Sequence, residues 1–137
     1  MRSADQESSD APAKRSVVLY ILLLAGHALH VAEETWGHFR VLNMVGGTGP
    51  FLAINAVLFA IPVIFFVFWR RGRRWAYWLS LVYAGFMALQ GVAHNVAWLA
   101  TGRYFGGFAG AISGLWLIAT GIPLFFWLLK SRTARVS

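Results

Sequence analysis

The 137-residue sequence predicts an all-α membrane protein, a four-transmembrane-helix bundle, from three observations. Only 12% of its residues are Asp, Glu, Lys or Arg, about half the share of a soluble domain. Hydrophobic residues make up 58% of the chain, and mean hydropathy is +0.61. The apolar residues also gather in four runs, each long enough to cross a bilayer, which takes about 20 residues at 1.5 Å of rise. This balance argues against a soluble cytosolic fold. The absence of Cys excludes disulfides, thiolate metal sites and cysteine nucleophiles.

Residues 1–15 mix both charge signs and hold no aliphatic side chain larger than Ala after Met1. They cannot bury enough surface to fold and are expected to form a disordered polar tail. The first apolar run, Ser16 to Ala32, is interrupted only by His27 and His30. Lys14 and Arg15 ahead of it would suit a cleaved signal peptide, but no convincing small-residue cleavage site follows, so it is read as a span that Glu33 and Glu34 continue. The second run, Phe51 to Trp69, has Asn55 as its one strongly polar member, and the third, Trp75 to Thr101, carries Gln90, His94 and Asn95 towards its far end. The fourth is Phe108 to Leu129. The transmembrane domain is therefore placed at 16–130, followed by a basic C-terminal tail at 131–137.

Lys and Arg set the orientation. Arg2, Lys14 and Arg15 lie before the first run, Arg70, Arg71, Arg73 and Arg74 between the second and third, and Lys130, Arg132 and Arg135 after the fourth. The opposite side holds only Arg40 and Arg103. Both termini are thus expected in the cytoplasm of a protein of the cell membrane. Trp69, Trp75, Tyr77, Trp78 and Trp127 fall near the inner interface, and Trp36, Trp98 and Tyr104 near the outer one. The basic run from Arg70 to Arg74 is a topogenic loop on this reading, and no nucleic-acid partner is expected.

A weak internal repeat is visible. Ile61 and Ile122 each open an Ile-Pro step followed by aromatic residues and then a basic one, while Gly26 and Gly91 each open a stretch carrying an outer-end His. Two pseudo-repeated helical hairpins related by an axis along the membrane normal would bring His30 and His94 to similar depths. Pro62 and Pro123 are expected to kink their helices. Gly106, Gly110 and Gly114, spaced four apart, permit close helix packing and are read as fold rather than site.

Only five acids occur, and Asp5, Glu7 and Asp10 lie in the tail. Glu33 and Glu34 are therefore the only carboxylates in the apolar part of the chain. On a helix His27, His30, Glu34 and His38 form one polar stripe, with Glu33 at its shoulder. His30 and Glu34 are one turn apart on the same face, and Gln90 and His94 repeat that spacing on the third span. Two acids at the C-terminal end of a helix oppose its macrodipole, so each requires a partner. An ionisable group within hydrocarbon costs at least about 2.5 kcal/mol at a helix centre and usually faces the bundle interior at a functional position. His27 alone reads as an interhelical hydrogen bond, His38 as an exposed interfacial residue, and Asn55 and Gln90 as packing hydrogen bonds. No role is assigned to Asn95.

His30-Val31-Ala32-Glu33-Glu34 reads H-x-x-E-E at the outer end of a first span. This resembles the HXXEE family of small multi-span membrane proteins, and the likeness in layout extends over residues 16 to 130. The resemblance implies a functional motif at His30, Glu33 and Glu34, catalytic in character, without an established reaction; His94 is added from depth and spacing. The first expectation is a membrane enzyme with one divalent metal, zinc or non-haem iron, held by His30, Glu34 and His94 with Glu33 as general base, acting hydrolytically or oxidatively on a lipid-like substrate. A second is metal-free acid/base chemistry on a lipid or isoprenoid by the same carboxyl groups. A third is non-enzymatic: a transporter, a haem-binding subunit using His27, His30 and His94, or a partner-binding subunit. The aliphatic inner half offers one chain no polar path, so transport would need an oligomer.

Overall fold

The computed structural model describes residues 14–133, and the tail readings for 1–13 and 134–137 lie outside the described residues. The described chain contains helices and turns and no strand. The elements are α1 (Lys14–Trp36), the short α2 (Arg40–Met44), α3 (Thr48–Arg70), α4 (Arg74–Thr101) and α5 (Ala111–Thr133). Four of these, α1, α3, α4 and α5, are long and apolar enough to cross a membrane.

The boundaries depart from the apolar runs in physically readable ways. α1 starts at Lys14, so Lys14 and Arg15, expected in the tail, are helical, and the Arg15 guanidinium sits 5.6 Å over the Trp127 ring. At its other end α1 continues through Glu33 and Glu34 but stops at Trp36. His38 then takes a left-handed φ of 53° and is exposed, so it leaves the polar stripe that regular helical phase would give it. The fourth helix begins at Ala111, three residues after Phe108, because Gly106 (φ 68°) and Gly110 (φ 107°) hold residues 104–110 in an irregular turn. The backbone N–H of Gly106 donates to the Gly37 carbonyl at 2.9 Å and ties this turn to the end of α1.

Packing is uneven. α4 and α5 form the most extensive seam, α1 lies against α5, and α3 rests mainly on α4 with a looser contact to α1. The α4–α5 seam is close because small residues meet: a Cβ at Gly91 would lie 2.3 Å from the Gly114 carbonyl oxygen, and one at Gly121 would lie 2.9 Å from that of Ala84. The reading of Gly114 as a packing residue is thus realised. The two hairpins, α1–α3 and α4–α5, differ in packing despite their shared Ile-Pro step. The buried core, including Tyr20, Leu23, Met87, Leu117, Leu124 and Leu128, lies below the His/Glu level. There the Tyr20 hydroxyl donates to the Pro62 carbonyl at 3.0 Å and receives a bond from Ser80 at 3.4 Å.

Candidate metal centre

The carboxylates at the end of α1 diverge, and each finds the partner that its position opposite the macrodipole demands. Glu33 turns to the first turn of α5. Its Oε1 accepts the Ile112 N–H at 3.0 Å and the Tyr104 hydroxyl, and its Oε2 accepts the Ser113 N–H at 2.6 Å. These are N–H groups that a helix start leaves without an intrahelical partner, at the positive end of its dipole, so Glu33 caps α5 from another helix. Burial and the neighbouring carboxylate push the Tyr104 hydroxyl pKa above its ordinary value, which keeps Tyr104 the donor in this pair.

Glu34 turns inward. Its Oε1 lies 3.5 Å from His30 Nε2 and 3.3 Å from His94 Nε2, with all three residues almost fully buried. The His30 and His94 rings stand edge to face with centroids 4.7 Å apart, a contact that similar depth on two helices permits but does not require. One ligand atom from each of His30, Glu34 and His94 fits within a span of 4.8 Å. Zinc–nitrogen and zinc–oxygen bonds are about 2.0–2.2 Å, so two ligands at tetrahedral angles lie about 3.3 Å apart. The two nitrogen–oxygen separations match that spacing.

The surroundings orient the rings. His30 Nδ1 and Ser113 Oγ share a 2.9 Å hydrogen bond, and Ser113 Oγ has the Gly110 carbonyl at 3.3 Å to donate to. That chain makes His30 Nδ1–H the donor and leaves Nε2 unprotonated, with its lone pair on the Glu34 side. His30 Nε2 and His94 Nδ1 are buried without a hydrogen-bond partner among the described residues. An orphaned imidazole nitrogen beside a carboxylate, at a distance long for a hydrogen bond, is the donor set a cation would complete. Gln90 Nε2 lies 3.4 Å from His94 Nε2, and the Phe39 ring covers His94 at a centroid distance of 4.8 Å.

The chain matches no family model, no curated protein and no solved structure.

The expected site residues therefore separate into two groups. His30, Glu34 and His94 converge, whereas Glu33 is spent on the cap of α5. His27 lies below, sharing a 3.1 Å hydrogen bond with the Tyr83 hydroxyl, and Asn55 Nδ2 donates within its own helix to the Phe51 carbonyl at 2.9 Å. Asn95 Nδ2 donates to the carbonyls of Gly91 and Ala111, tying α4 to the start of α5.

Sequence reasoning did not include Ser113, Phe39 and Gly110 in the site. A Cβ at Gly110 would lie 2.6 Å from His30 Cε1 and 2.9 Å from His94 Nδ1, so this glycine is the floor on which both rings rest. The four-residue spacing of Gly106, Gly110 and Gly114 speaks for helix packing and carries no sign that one member faces two imidazoles instead of a helix.

Proposed function

We propose that this chain is a small multi-pass enzyme of the cell membrane, similar to the HXXEE family, with both termini cytoplasmic and one divalent metal held by His30, Glu34 and His94 in the outer half of the bundle. The observation that carries this reading is the buried convergence of two imidazoles and one carboxylate at metal-ligand spacing, with Glu34 3.5 Å from a His30 Nε2 that has no hydrogen-bond partner among the described residues. The excess of Lys and Arg on one side supports the orientation, and the four long apolar helices support insertion.

Two His and one carboxylate suit both zinc and non-haem iron, and three protein ligands leave a position open for water or substrate. Such an ion supplies a Lewis acid or an activated water for hydrolysis, or a redox centre for oxidation, on a lipid-like substrate. In this reading Glu33 holds α5, and with it Ser113 and Gly110, in register with the rings. Ser113 fixes the His30 tautomer, and Phe39 shields His94 from water. The cap occupies both Glu33 oxygens, which favours a positioning role over general base.

Elemental analysis of detergent-purified protein tests the proposal. Close to one zinc or iron per chain is expected in the wild type, with loss in His30→Ala, Glu34→Ala and His94→Ala and retention in His27→Ala. Equal metal content in all five proteins overturns it. Activity that survives chelation in a metal-free protein would select acid/base chemistry by Glu34 and its two imidazoles instead.

A further inference from the structure

Beside the His/Glu cluster, a cavity of about 320 Å³ lies between α1, α3 and α4. This is within the range of about 300–1,000 Å³ usual for small-molecule sites. Its polar lining groups, apart from the Tyr83 hydroxyl that is bonded to His27, are His27, His30, Glu34, Asn55 and Gln90. His27 is likewise committed to Tyr83, and Asn55 Nδ2 and Gln90 Nε2 already meet the Phe51 carbonyl and His94, so the groups left to meet a ligand are His30, Glu34 and the side-chain amide oxygens of Asn55 and Gln90. The rest of the lining is aliphatic or aromatic, and it reaches down α4 to Leu79. From Leu79 to Gln90 is roughly 16 Å of helix at 1.5 Å per residue, about the thickness of one leaflet of a 30 Å hydrocarbon core.

The mouth of the cavity faces sideways. Leu58 and Ile61 of α3 and Val82 and Phe86 of α4 line it, yet they remain 40–63% exposed on the isolated bundle. In a membrane these four residues meet acyl chains, not water. At the other end, His30 is only 2% exposed, and its Nε2, without a hydrogen bond among the described residues, belongs to the cluster that ends the groove. The groove therefore has a hydrocarbon-lined body open to lipid and a buried polar end at the His/Glu cluster.

We infer that this groove binds a single-chain amphiphile drawn laterally from the bilayer between α3 and α4, its oxygen-bearing head at His30, Glu34, Asn55 and Gln90 and its hydrocarbon chain along Leu58, Val82 and Phe86. The inference deepens the metal-centre reading and rests on it for the groups that meet the head. Because the chain is already in hydrocarbon, moving it from lipid to groove gains little from the hydrophobic effect, so selectivity lies in the head contacts. One chain suits the groove, since its apolar lining on α4 follows a single helix face from Leu79 through Val82 and Phe86 to Gln90.

The test is photolabelling of the purified protein in nanodiscs with a diazirine-bearing long-chain fatty acid, mapped by mass spectrometry, with metal content measured on the same samples. Labelling is expected to concentrate on the groove segments of α3 and α4, and to fall about tenfold in Leu58→Trp, which blocks the mouth, and in Gln90→Leu, which removes a head contact. Metal content is expected to stay at the wild-type level in Leu58→Trp. Labelling spread evenly over the outward residues Val18, Leu99 and Leu115 and unchanged by Leu58→Trp would show annular lipid only and overturn the inference, even with metal present. Groove labelling that depends on Leu58 in a protein without metal would sustain the groove while removing the metal centre.

Discussion

Gly110→Ala is the most informative single substitution, because the three atoms nearest the added carbon all belong to the two imidazoles. Its Cβ would lie 2.6 Å from His30 Cε1 and 2.9 Å from His94 Nδ1, where ordinary contact begins at 3.4 Å. His30 must then retreat by about 0.8 Å (3.4 − 2.6) and His94 by about 0.5 Å (3.4 − 2.9). Metal sites hold their ligand distances to about 0.2 Å, so neither ring can stay in place. The expected loss of metal affinity is at least the roughly 10–100-fold that follows damage to groups supporting a ligand. Gly106→Ala is the control: φ is also positive there, at 68°, but nothing lies within 4 Å of the added carbon. Both variants carry backbone strain of about 1–3 kcal/mol, and only the first pushes on the site. Chelator competition gives the metal affinity per folded chain, and thermal unfolding in the same detergent gives the stability. Gly106→Ala should melt lower and bind metal like wild type, while Gly110→Ala should lose affinity even in the fraction that stays folded. Equal affinity in the two variants would refute the reasoning.

Three further outcomes are expected. Glu33→Ala removes the acceptor for two backbone donors of α5 and for Tyr104, and should destabilise the bundle by at least about 2 kcal/mol in denaturant unfolding; wild-type stability would show that the cap contributes nothing. Ser113→Ala should weaken metal binding by roughly 10–100-fold with less than about 1 kcal/mol lost in folding, and Ser113→Thr should restore it. Unchanged affinity in Ser113→Ala would remove the tautomer argument. Gly91→Ala places a Cβ 2.3 Å from a backbone oxygen of α5, and overpacking of that kind should cost about 1–3 kcal/mol, read as a lower melting temperature.

Much of the site was legible because long apolar helices make polar groups conspicuous. In a chain with two acids outside its tail, the i, i+4 spacing of His30 and Glu34 and the matching depth of His94 suffice to nominate three residues that the fold brings together. Glu33 shows the limit of that reading. Adjacent residues on a helix point about 100° apart, so Glu33 and Glu34 could not share one task, but spacing does not reveal that the neighbour in Glu33's direction is the N-terminus of α5. The end of α1 was equally hidden, since the stripe through His38 follows from helical phase and is broken by a left-handed turn whose contacts lie in the loop after α4.

By itself the sequence determined four apolar helices, an excess of basic residues on one side and a polar level near the other, since each follows from length, hydropathy and charge along one strand of chain. The tertiary structure alone decided which side chains meet. It assigned Glu34 to the two imidazoles and Glu33 to a helix cap, made Gly110 the floor of the cluster, and left a groove beside it between α1, α3 and α4. The physical reason is that helical periodicity fixes the direction of a side chain relative to its own axis, whereas the partner it reaches depends on how closely the small residues of α4 and α5 let neighbouring helices approach.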